Sequence, residues 1–87
     1  MTLERADEWF VYIVECSDGS LYTGIAKDIE ARIAQHDQGK GAKYTRGRGP
    51  VKLRASNGPY ARSAALSLEA KIKRLPTKRK ECGLKKA

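Results

Sequence analysis

Trp9-Phe10-Val11-Tyr12-Ile13-Val14-Glu15-Cys16-Ser17-Asp18-Gly19-Ser20-Leu21-Tyr22-Thr23-Gly24-Ile25-Ala26 is the stretch from which the fold is read. Residues 9–16 are rich in β-branched and aromatic side chains and predict a strand. Residues 21–26 predict its partner, and Asp18-Gly19 between them is a strong hairpin signal. Side chains alternate along a strand, so loop length decides which residues share a face. A two-residue loop, Asp18-Gly19, pairs Glu15 with Tyr22 and puts Tyr12 and Tyr22 on opposite faces. A three-residue loop, Asp18-Gly19-Ser20, pairs Cys16 with Tyr22 and puts both tyrosines on one face. Cooperation between the tyrosines therefore requires the odd loop or a bulge.

After the hairpin, Asp28 is placed to cap a helix over residues 29–38. Ile29 and Ile33 form its buried face, Arg32 and His36 lie along the edge of that face, and Gly39 and Gly41 stop it. A glycine-rich basic loop follows, from Lys40 to Pro50, with Tyr44 as its one aromatic. Residues 51–55 alternate as a third strand, and Asn57-Gly58-Pro59 reads as a turn. Over residues 60–75, Ala61, Ala64, Ala65, Leu68, Ile72 and Leu75 recur on one helical stripe. Pro76 ends that helix, and Thr77 is placed to cap a short last one over residues 78–82. The expectation is an α+β fold in the order β-β-α-β-α-α, a small three-stranded, mostly antiparallel sheet flanked by helices. The 87 residues read as one domain without repeat or linker, its core over about residues 9–80.

Composition narrows the function. A chain this short buries only about 60% of its unfolded surface, so a shallow groove suits it better than a deep pocket. The N-terminal residues are polar, and no apolar run approaches the roughly 20 residues that cross a bilayer. A soluble, cytoplasmic protein with no membrane partner is expected. Cys16 and Cys82 are far apart and in no metal-like spacing, and His36 is the sole histidine, so zinc has little support. Charge is segregated. Residues 1–37 carry three Lys or Arg against eight Asp or Glu, a net of −5, and residues 38–87 carry fifteen against two, a net of +13. A solubilising surface would intersperse the signs; this asymmetry points to a polyanion held mainly by the second part.

The ordered set Val11-Tyr12-Ile13, then Leu21-Tyr22-Thr23-Gly24, then a helix with Arg32 and His36, then a glutamate in a later helix, resembles the GIY-YIG nuclease superfamily. Gly41-Ala42-Lys43-Tyr44-Thr45-Arg46 and Leu68-Glu69-Ala70-Lys71-Ile72-Lys73 resemble its short stand-alone bacterial branch. The resemblance implies metal-assisted hydrolysis of a DNA phosphodiester, on branched, damaged or single-stranded forms met in repair or recombination. It implies Tyr22 as general base or base partner, Tyr12 as the residue orienting it, Arg32 as the cation on phosphate and Glu69 as the ligand of one Mg2+ or Mn2+. His36 is placed to serve as base or relay. An asparagine found in the site of larger members is not assigned to Asn57, the only asparagine here.

Each assignment has elementary chemistry behind it. A phenol titrates near 10, and a nearby cation favours its ionised form. The arginine fork matches phosphate geometry, and magnesium is held by one or two carboxylates with water and substrate oxygens completing its shell. Lys40, Lys43, Tyr44, Arg46, Arg48, Lys71 and Lys73 are the expected nucleic-acid contacts, through phosphate charge and base stacking. Plainer readings stand beside these. Strand tyrosines pack, Arg32 pairs with Asp28, His36 is a surface residue, and Glu69 pairs with Lys73. A binding module that cuts weakly, or only with a protein partner supplying specificity, is the alternative. RNA is the less favoured nucleic acid.

Overall fold

Strands β1 (Trp9–Glu15) and β2 (Leu21–Ala26) pair antiparallel, with Val14 opposite Tyr22 and Glu15 opposite Leu21. The loop is the odd one, but its frame is Ser17-Asp18-Gly19, one residue earlier than expected. Cys16 therefore meets Ser20, not Tyr22, and its amide donates to the Ser20 carbonyl at 2.8 Å. The frame is set by Gly19, whose φ of 86° supplies the left-handed third position of such a loop. Asp18 braces it, its Oδ1 accepting from the Ser20 amide at 3.0 Å and the Ser20 hydroxyl at 2.6 Å. Tyr12 and Tyr22 share a face because the loop is odd.

The computed structural model describes residues 8–39 and 49–87. Helix α1 (Ile29–Asp37) follows the hairpin, then strand β3 (Lys52–Tyr60) and helices α2 (Arg62–Lys73) and α3 (Thr77–Lys85). The sheet is antiparallel in the order β2-β1-β3. This is the expected α+β architecture, with three differences. The Asn57-Gly58-Pro59 segment is not a turn before a helix but the end of β3. As an edge strand, β3 tolerates proline on its unpaired side. Register shifts opposite Trp9/Val11 and Ile13/Val14 absorb its extra residues. Because Tyr60 belongs to β3, α2 begins at Arg62, with Ala65 and Ile72 buried, Leu68 half-buried and Ala61 and Ala64 exposed. Helix α3 is longer than the sequence suggested, and Thr77 opens it without capping it. Burial of Leu84 secures its last turns, together with Asn57 Nδ2, which donates to the carbonyls of Leu84 at 2.8 Å and Ala87 at 3.0 Å.

Alternation along β1 divides the core. Val11 and Ile13 face α2 and α3, packing with Ala55, Ala65, Ile72 and Leu84. Tyr12, Val14 and Cys16 face α1, packing with Ala26 and Val51 and against Tyr22, Ile29 and Ile33. Asp28 caps α1 as expected, its Oδ1 accepting from the Ala31 amide at 3.1 Å. Gly39, at φ 76°, follows the helix end. Asp37 Oδ1 accepts from the Val51 amide at 2.7 Å and ties the end of α1 to the start of β3. No described helix is long and apolar enough to cross a membrane.

Candidate active site

Beneath α1, three rings meet. The Tyr12 hydroxyl and His36 Nε2 form a buried hydrogen bond of 2.9 Å. The Tyr22 ring lies edge-on to His36, centroids 5.4 Å apart, and tilted to Tyr12 at 6.5 Å. The expectation placed His36 at the edge of the α1 face, with surface exposure as its plain reading. It is instead 1% exposed, as is Tyr12, while Tyr22 is half-buried. The reason is pairing: a polar ring enters a core when its nitrogen finds a partner, and Tyr12 is that partner.

The close approach depends on Gly24, which lies opposite Tyr12 on β2. A Cβ there would stand 2.6 Å from the Tyr12 hydroxyl oxygen, 2.9 Å from Tyr12 Cζ and 3.1 Å from Tyr22 Cε2. The sequence reading does not single out Gly24 as a residue shaping the site. A glycine inside a strand pattern is the signal that points to it.

Arg32 lies one turn before His36 on α1. Its Nη1 donates to Gln35 Oε1 at 2.8 Å, while Asp28, the expected local partner, is engaged at the helix cap. The guanidinium also acts on both buried groups. Burial pushes the Tyr12 hydroxyl above the usual phenol range, and Arg32 pulls the other way without winning; the Tyr22 and Glu69 charges add to the rise. Burial likewise holds His36 below the usual imidazole range, the Arg32 charge adds to that, and Asp37 opposes it. Near neutral pH the pair is thus a phenol and an uncharged imidazole. Either the hydroxyl donates to a bare Nε2 or a protonated Nε2 donates to the hydroxyl, according to the tautomer.

Glu69 belongs to α2, which covers the other face of the sheet, yet its charge reaches Tyr12. Helix α2 packs on β1 and β2, and β2 is an edge, so long side chains on α2 extend round it. Lys73 does the same, its Nζ 5.8 Å from the centre of the Tyr22 ring. Lys73 also pairs with Glu69 at 3.3 Å, the plain reading of that glutamate, and the Glu69 side chain is only 17% exposed. Lys71 is solvent-exposed and about 200° round the helix from either neighbour, so it does not share their edge. Lys40, Lys43, Tyr44, Arg46 and Arg48 lie outside the described residues.

Among the described residues, no cluster of three or more metal-ligating side chains occurs. The donor chemistry at Glu69 suits a different kind of site. A hard divalent ion such as Mg2+ takes oxygen ligands and needs only one or two carboxylates, the rest being water and phosphate oxygens. Glu69 would hold such an ion on giving up its contact with Lys73.

A model of the GIY-YIG catalytic domain matches residues 8–81. A UPF0213 protein of Haloquadratum walsbyi is 53% identical over 75 residues, covering 86% of this chain and 84% of the relative. One of Staphylococcus epidermidis is 55% identical over 67 residues, covering 77% and 82%. Among solved structures, a protein from E. faecalis is similar at 37% identity and a TM-score of 0.63, over 97% of this chain and 90% of that one. A UPF0213 protein from Bacillus halodurans is similar at 47% identity and a TM-score of 0.52, over 85% and 79%. By the domain match, which spans the residues that form the Tyr12–Tyr22–His36 cluster, and by these relatives, the chain belongs to the GIY-YIG family.

Proposed function

We propose that this protein is a metal-dependent endonuclease that hydrolyses phosphodiester bonds in DNA, with residues 1–87 acting as one domain in the cytoplasm. Membership of the GIY-YIG family implies nuclease activity on DNA; the metal, the residue roles and the form of the DNA belong to this proposal. The observation that carries it is the Tyr12–His36 hydrogen bond with Tyr22 packed on both rings. Two ionisable rings that remain neutral, beside a guanidinium and a carboxylate, make an arrangement for moving a proton next to a phosphate.

In this reading Arg32 binds a non-bridging phosphate oxygen, and Glu69 would hold Mg2+ or Mn2+. An ion held by Glu69 would supply positive charge to stabilise the leaving oxygen. Water attacks phosphorus, a new P–O bond forms, and the opposite P–O bond breaks. The water proton passes to Tyr22, the half-exposed ring, once its hydroxyl has given up its own proton, or to His36, whose neutral imidazole has capacity for it; the leaving oxygen takes a proton from solvent. Tyr12 holds both rings in place. Lys73 and the basic segment bearing Lys40, Lys43, Tyr44, Arg46 and Arg48 bind the DNA beside the scissile bond, and Lys71, on the opposite side of α2, adds only longer-range positive charge. Tyr22→Phe and Glu69→Ala are expected to abolish Mg2+- or Mn2+-dependent nicking while leaving DNA binding largely intact. Undiminished nicking in both variants sinks the assignment. A panel of duplex, branched, damaged and single-stranded DNA identifies the preferred form.

One observation favours a second reading, a DNA-binding module that cuts weakly or only with a protein partner. Lys73 already neutralises the Glu69 carboxylate, so a metal competes with a resident ammonium. Purified protein that binds DNA but leaves it intact across a Mn2+ titration supports this reading over the first.

A further inference from the structure

A second cationic feature lies on α2, away from the ring cluster. Lys27 Nζ stands 5.3 Å from the centre of the Trp9 ring, and Arg62 Cζ stands 5.4 Å from the same centre. Lys27 follows β2, and Arg62 opens α2. Both are exposed, and Trp9 is half-buried, packed against the core. Among the described residues neither cation forms an ion pair with a carboxylate. Asp28, next to Lys27, is turned to the α1 cap. An indole that gathers two long cationic side chains costs them little and orders both heads, each such contact being worth about 0.5–1 kcal/mol at an exposed site.

The position of this pair gives it meaning. At 100° per residue, Arg62, Leu66, Glu69 and Lys73 fall within about 60° of one another and form one stripe along α2. Leu66 is one of the exposed large apolar residues. The two ends of the stripe are tied to opposite ends of β2, Arg62 through Trp9 and Lys27, Lys73 through Tyr22. Helix α2 thus runs antiparallel to β2 along the sheet edge. Seven residues separate Arg62 from Glu69, about 10 Å of helix, enough to place the two on different phosphates of one strand.

We infer that Trp9, Lys27 and Arg62 form a second phosphate-binding subsite, which holds the DNA backbone to one side of the bond cut at Tyr22 and Glu69. The inference rests on the proposed nuclease reading for the identity of the polymer. Trp9 acts as a positioning residue, and Lys27 and Arg62 bind the phosphate. The Arg62–Lys73 stripe is the track between subsite and scissile bond.

The test measures affinity for a labelled DNA duplex in EDTA, so that cleavage plays no part, across a series of salt concentrations. Lys27→Gln/Arg62→Gln is expected to flatten the slope of log K against log salt by about one to two units, close to 0.9 for each lost phosphate contact. Lys27→Arg/Arg62→Lys keeps the slope, and circular dichroism shows both variants folded. Trp9 is the only tryptophan, so its emission should change as DNA saturates the wild-type protein. In Mn2+, the loss in the glutamine variant appears in KM rather than kcat. An unchanged slope, or silent Trp9 emission at saturation, overturns the subsite. The nuclease reading fails separately: DNA bound with the expected slope difference but never cut leaves the subsite standing and removes the reaction.

Discussion

Gly24→Ala is the sharpest perturbation of the ring cluster. The added methyl would stand 2.6 Å from the Tyr12 hydroxyl oxygen and 2.9 Å from Cζ. Ordinary contact begins nearer 3.4 Å, so the Tyr12 ring must retreat by most of an ångström. That movement breaks the 2.9 Å bond to His36. Neither ring has room to yield, since both are 1% exposed, and the methyl also crowds Tyr22 Cε2 at 3.1 Å, so it meets two rings at once. Overpacking of this kind costs about 1–3 kcal/mol. Losing a buried hydrogen bond adds about 1 kcal/mol. The expected loss is therefore about 2–4 kcal/mol, against a total stability of about 4–13 kcal/mol for a chain of this length. Urea unfolding followed by Trp9 fluorescence measures it, and at a slope near 1 kcal/mol/M the midpoint falls by about 2 M or more. The decisive comparison is made in a Tyr12→Phe background. Removing the hydroxyl removes the closest contact, so Gly24→Ala should cost at least about 1 kcal/mol less there than in the wild type. A Gly24→Ala cost below about 0.5 kcal/mol, or costs that simply add, would refute the packing argument.

Further outcomes follow from the same geometry. Lys73→Met frees the Glu69 carboxylate, and an exposed ion pair is worth about 0.2–1 kcal/mol. Mn2+ binding measured without DNA should therefore tighten by up to about fivefold, and unchanged or weaker binding would show that Lys73 does not compete. His36 is held below the usual imidazole range in the folded state, so between that depressed value and about 6.5 the unfolded chain binds more protons. Stability is then fully present above about pH 6.5 and declines as pH falls through the folded value. Tyr12 is shifted upward, so its contribution is present below pH 10 and is lost as pH rises further. His36→Gln should flatten the acid side of a stability–pH curve and leave the alkaline side alone; an unchanged acid limb would contradict the burial of a neutral imidazole. Asn57→Ala deletes two hydrogen bonds to the last turns of α3, at about 1–2 kcal/mol. Hydrogen exchange at residues 84–87 should accelerate while DNA nicking is unaffected, and unaltered protection would show that Leu84 alone anchors the helix.

Local sequence made the hairpin, the Asp28 cap, the end of α1 and the Ala65–Leu68–Ile72 part of the α2 stripe legible, because strand alternation, capping and helical periodicity act between near neighbours. The joint order of Tyr12, Tyr22, Arg32, His36 and Glu69 carried the family. What the residues left open was parity. A one-residue difference in loop length decides whether two tyrosines share a face, and Gly19 with its left-handed φ settles it as three. The Gly58-Pro59 pair reads as a turn locally, yet β1 draws it into the sheet, since an edge strand with register shifts keeps its ladder on one side only. Burial of His36 was not legible either. Its partner Tyr12 lies 24 residues away, and only packing α1 over β1 brings the two together.

The residue types needed for phosphate chemistry are therefore properties of the chain itself. Their protonation states, the fit at Gly24 and the reach of Glu69 and Lys73 round the β2 edge are properties of the fold. The physical reason is that burial and Coulomb effects depend on distance in space, whereas sequence specifies distance only along the backbone.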